Sequence, residues 1–97
     1  MSKAIFKYVL VSDTAKHRPV IPCTFTMPPG AEVLSIGLDP GKQLCLWALC
    51  NNQDERRESR SFVLVWTGEH IPMRCRAFVG TVTCGNFVYH CFEAVQE

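Results

Sequence analysis

Residues 32–50 read EVLSIGLDPGKQLCLWALC, and the turn in the middle of that stretch decides the fold class. Asp39-Pro40-Gly41-Lys42 separates two apolar runs. Proline fixes one backbone dihedral and glycine tolerates the positive φ that a reversal needs, so these four residues form a tight turn. The flanking runs, Glu32 to Leu38 and Gln43 to Cys50, are therefore expected to pair as an antiparallel hairpin.

The same alternation extends along the chain. AIFKYVLV (4–11), PVIPCTFT (19–26), SFVLVWTG (61–68), CRAFVGTV (75–82) and FVYHCFEAV (87–95) are rich in β-branched and aromatic residues, as strands are. Pro19 and Pro22 cannot donate to a ladder, which puts the second run at a sheet edge or on a bulge. MPPG (27–30) reads as a turn, and Thr83-Cys84-Gly85-Asn86 closes a second hairpin. The remaining segments are connections: SDTAKHR (12–18), the polar NNQDERRESR (51–60), and GEHIPM (68–73). No segment repeats apolar residues at helical spacing. The expected fold is all-β, a small antiparallel sandwich or barrel of about six or seven strands, and 97 residues suit one domain over 1–97.

LCLWALC and FVLVW are apolar at consecutive positions and hence on both faces of their strands. In a chain this short a second sheet covers only one of those faces, so a homo-oligomer is expected; the alternative is two central strands with one lightly exposed face. A formal charge of +1 argues against binding polymeric nucleic acid, which requires a broad basic surface. No window reaches the roughly 18 apolar residues of a membrane span, and the N-terminus lacks the pattern of a signal peptide. No membrane partner and a cytosolic location are expected, which leaves Cys23, Cys45, Cys50, Cys75, Cys84 and Cys91 as free thiols.

Their spacing does not suit zinc. Cys45 and Cys50 lie an odd number of positions apart, on opposite strand faces, as do His90 and Cys91. Neither a metal nor a cofactor is expected. No cysteine carries a nucleophile signature, Asp54, Glu55 and Glu58 fall in a solvated loop, and Glu93 stands alone, so no catalytic residue is assigned and an enzyme is not expected. GLDPGK lacks the spacing of a phosphate loop. Trp47, Trp66, Thr67, His70 and the arginines 56, 57 and 60 could together build a small nucleotide pocket, since aromatic planes stack on bases and guanidinium groups grip phosphates. The plainer reading makes the tryptophans core or interface residues and leaves the arginines solvated.

Read in order, IFKYVL, MPPGAEVLSIGL, QLCLWALC, SFVLVWTGEHIP, AFVGTV and FVYHCFE resemble a family of small, mostly bacteriophage-encoded proteins. Lys7 and Tyr8, Met27 through Ser35, Cys45 through Leu49, Thr67 and Gly68, Gly80 and Thr81, and His90, Phe92 and Glu93 carry the likeness, which spans nearly the whole chain. Trp66 stands where that family has glycine, and Glu69 separates Gly68 from His70. The resemblance implies an oligomeric anti-defence sponge in the host cytoplasm that sequesters a cyclic dinucleotide or related immune signal without cleaving it. Ligand contacts are expected from Lys7, Trp47, Arg60, Trp66, Thr67 and His70, with a base on Trp66 and phosphates on Lys7 or Arg60. The alternative is a protein-protein inhibitor of a host factor acting through an apolar strand face.

Overall fold

A computed structural model describes residues 2–11, 18–71 and 74–95. Seven antiparallel strands form two sheets: β1 (Lys3–Val11), β2 (Val20–Met27), β3 (Glu32–Leu38), β4 (Leu44–Asn51), β5 (Glu58–Trp66), β6 (Cys75–Cys84) and β7 (Phe87–Ala94). Their order is β1-β4-β3 in one sheet and β2-β5-β7-β6 in the other, a sandwich rather than a closed barrel. Most of the connection expected at 12–18 and part of that at 68–73 lie outside the described residues.

Both hairpins form as their turn residues dictate. β3 and β4 pair from Leu38↔Leu44 outward, and in the turn Lys42 donates its N–H to the Asp39 carbonyl at 2.8 Å. The left-handed position there is Lys42, φ 65°, rather than the glycine. In the second hairpin Cys84 opposes Phe87 across Gly85-Asn86, with Gly85 at φ 62°. Gly30, φ 75°, ends the diproline turn after β2, and Pro22 lies on an edge strand, where its missing donor costs nothing.

The inner faces of the two sheets meet in a core built around Leu44, Leu46, Ala48 and Cys50 of β4, Phe62 and Leu64 of β5, Tyr89 and Cys91 of β7, and Met27. Alternation within β4 is visible in that set, since Cys50 enters the core and Cys45 faces the other way. The second apolar face of β5 is covered within the chain itself. Val63 and Val65 are 0% and 3% exposed, lying between Pro22 and Phe92 and between Val20 and His90 on the flanking strands.

β5 starts three residues earlier than its apolar run. Glu58, Ser59 and Arg60 pair with Met27, Thr26 and Phe25, because backbone pairing propagates along β2 whatever the side chains, and alternate residues reach solvent. Four register shifts bend the strands: one in β1 between Val9 and Val11, one in β3 between Val33 and Ser35, and two in β6, between Cys75 and Ala77 and between Phe78 and Gly80. At the second of these in β6 the sheets come close, and a Cβ on Gly80 would stand 3.3 Å from Ile36 Cγ1. A glycine serves there because another backbone's side chain approaches it.

Candidate functional site

Six side chains were expected to line a ligand site, and the strands distribute them over three places. Lys7 and Trp47 are brought together, opposite one another across β1 and β4 on the outer face of the three-stranded sheet. Trp47 lies against Gly37, whose absent Cβ would meet its ring at 3.5 Å. The Lys7 ammonium donates to Asp39 Oδ2 at 2.9 Å, and Asp39 also accepts the Gln43 N–H at 2.8 Å. The Lys7 hydrogen bond, followed by that of Gln43, holds the Asp39 carboxyl below the usual carboxylate range.

Arg60 and Trp66 occupy opposite ends of β5. Six residues of strand separate them by roughly 20 Å, so one ligand base on Trp66 does not share a phosphate with Arg60. Trp66 is half-buried and packs against the core. Its ring stacks on Phe87 at 4.7 Å and 7° and lies tilted against Tyr89 at 6.3 Å. Among the described residues its buried indole Nε1 has no hydrogen-bond partner. Trp66→Phe therefore removes an unsatisfied donor along with part of the ring area, and the expected loss is under about 1.5 kcal/mol, measured by urea denaturation. A loss above about 3 kcal/mol would mean that the indole N–H has a partner.

Thr67 and His70 follow β5 on exposed positions. Thr67 joins His90 rather than His70: its hydroxyl lies 2.7 Å from His90 Nε2, and Thr81 Oγ1 lies 2.9 Å from His90 Nδ1. This Thr-His-Thr row crosses the outer face of the four-stranded sheet. Cys91, the next residue, points into the core, where burial pushes its thiol up to about 12; burial takes Cys23 to about 11. Such thiols stay protonated and unreactive. A thiol reagent is expected to leave Cys45, Cys50 and Cys91, each 1% exposed or less, unlabelled until denaturant is added. Native-state labelling of Cys91, read by peptide mass mapping, would overturn this.

A cleft of about 590 Å³ lies at the Arg60 end of β5, lined by Gly30, Ala31, Glu58, Ser59, Arg60, Arg76, Ala77 and Glu93. On its floor Arg60 grips Glu93 bidentately, Nε to Oε2 and Nη2 to Oε1, both at 2.8 Å. Its third nitrogen donates to the Ala31 carbonyl. Sequence reading left Glu93 isolated and Arg60 either solvated or gripping a phosphate, whereas the Glu93 side chain is 10% exposed, that of Arg60 17%, and each holds the other. Hydrogen bonding to Glu93, ahead of the cost of burial, raises the guanidinium above its ordinary value.

Arg76 was not anticipated. It is the extra residue of the β6 bulge, since Cys75 opposes Ala94 and Ala77 already opposes Glu93. A bulge re-aims a side chain that a regular ladder would hold in alternation, and here it lets Arg76 line the cleft. Arg76 makes no ion pair among the described residues. By contrast, Asp54 holds Arg56 at 2.8 Å and is itself drawn down to about 2 by that pairing. Arg57 donates to the carbonyls of Asp54 and Arg56. Phe78, two residues beyond Arg76, is 59% exposed and packs on Phe92 at 5.3 Å. Nothing in CRAFVG marks the bulge, so the sequence carries no signal for this grouping. Among the described residues no cluster of three metal-ligating side chains occurs.

A family model described as a domain of unknown function, DUF7352, matches residues 1–97. The chain belongs to that family. Comparison of this DUF7352 chain with curated proteins and with solved structures found no match.

Proposed function

We propose that the chain is a phage anti-defence binding protein, a sponge that sequesters a cyclic-nucleotide immune signal in the host cytoplasm and releases it unchanged. One feature carries this: the bulge-directed, exposed Arg76 stands without an ion-pair partner among the described residues at a cleft whose more buried charges, Arg60 and Glu93, neutralise each other. A guanidinium so placed can take a phosphodiester in bidentate fashion. Ser59 adds a hydroxyl at the same cleft. The volume falls within the roughly 300–1,000 Å³ of small-molecule sites.

The test is calorimetry and thermal shift with a panel of cyclic di- and trinucleotides. A ligand at a hundred times its Kd should stabilise the fold by about 2.7 kcal/mol. It should be recovered intact after heat denaturation, and Arg76→Ala should weaken binding at least tenfold with Tm nearly unchanged. Absence of any shift or retention across the panel rejects the reading. A second reading, inhibition of a host protein, is favoured by the exposed Ile5, Leu34 and Leu38 of the three-stranded sheet; it predicts a co-purifying host protein and no retained nucleotide.

A further inference from the structure

We propose that two copies of the chain join through β1, pairing antiparallel across a two-fold axis at Phe6 to form one continuous six-stranded sheet, β3-β4-β1-β1-β4-β3. β1 lies at the edge of its sheet and, among the described residues, pairs only with β4. The last part of its other side is covered by β2, where the Cys23 thiol donates to the Leu10 carbonyl at 3.2 Å. Among the described residues no strand pairs with Lys3 to Tyr8 on that side, the arrangement that templates strand addition.

The other three edges are guarded. β2 carries Pro22 within its run, β3 is bent by one register shift, and β6 by two. Each device prevents pairing. The single irregularity of β1 falls between Val9 and Val11, at its covered end.

Side chains fix the occupant as a second copy and set the register. Centring the pair on Lys7 would put two ammonium groups directly opposite, which destabilises a ladder. Centring it on Phe6, close to the middle of the open segment, sets Phe6 against Phe6, Ile5 against Lys7 and the small Ala4 against Tyr8. Phe6, 41% exposed, then gains an apolar neighbour, and Ile5, 60% exposed, lies against the aliphatic stem of the partner's Lys7 on the other sheet face. A shallow cleft of about 190 Å³ beside the edge, lined by Phe6, Lys7, Tyr8, Pro28 and Arg57, receives the partner's aromatic ring. Six residues per strand bury less than the roughly 1,200 Å² of a standard interface, so the dimer should dissociate in the micromolar range. The inference stands apart from any ligand, so its failure leaves the sponge reading untouched.

Analytical ultracentrifugation from about 1 to 200 μM should show a monomer-dimer equilibrium. Phe6→Glu should abolish it while the far-ultraviolet dichroism stays that of the wild type. In case that variant misfolds, hydrogen exchange on the unmodified protein gives an independent readout. Amides within Lys3 to Tyr8 should become at least tenfold better protected at high than at low concentration, with β6 amides unaffected. A monomer at all concentrations, a dimer that survives Phe6→Glu, or concentration-dependent protection at β6 instead of β1 would each overturn the proposal.

Discussion

Arg60→Ala is expected to lower stability by about 3 kcal/mol, with a fall in Tm of more than about 10 °C. The loss arises from what is left behind. Glu93 is left in a site where its side chain is 10% exposed, now without the two hydrogen bonds that compensated its desolvation, and the Ala31 carbonyl also loses its donor. For a domain of this size the expected total is about 5–15 kcal/mol, so a large fraction disappears. Arg60→Lys should recover little, since one ammonium cannot reproduce three directed contacts. Arg60→Met combined with Glu93→Leu should be far milder than Arg60→Ala alone, because replacing a whole buried pair by apolar groups is often neutral. Urea denaturation of the three variants checks the order, and a double variant as unstable as the single would reject this account.

Phe62→Ala should be the most damaging single truncation, at about 3–5 kcal/mol. Phe62 is wholly buried at the centre of the sandwich, tilted against Phe25 at 6.0 Å and 48°, with the Arg60 guanidinium 6.0 Å from its ring. Removing the ring opens a cavity and takes away the surface on which the Arg60 clamp rests. Phe62→Leu keeps most of the volume and should cost less than about 2 kcal/mol. The denaturant midpoint should move while the slope stays constant. An alanine variant within 1.5 kcal/mol of wild type would show that the two sheets close over the gap.

The strands and hairpins were legible in the sequence because they rest on period-two alternation and on Gly, Pro and Asp at the turns, all of which are local. Residues 58–60 were lost from β5 for a physical reason: their place in the ladder is dictated by β2, more than thirty residues away in sequence. Arg60 and Glu93 were not legible as a pair for the same reason, since the register that sets them side by side is a product of two pairings, β5 with β2 and β5 with β7. Trp66, Thr67 and His70 looked like a cluster because they are neighbours in sequence, but the strand sends Trp66 inward and the following turn sends Thr67 to His90. Arg76 depends on one inserted residue in β6, and a bulge leaves no mark in composition.

The Thr67-His90-Thr81 row gives the outer face of the four-stranded sheet an unusual tolerance. Each hydroxyl can donate or accept. The imidazole accepts a hydrogen bond from one threonine and donates one to the other, and a change of tautomer reverses the row with no heavy atom moving. The direction of its hydrogen bonds can therefore invert while the shape of the surface around it stays fixed. A partner that recognises contour there is indifferent to which way the row runs, while one that reads donors and acceptors is not.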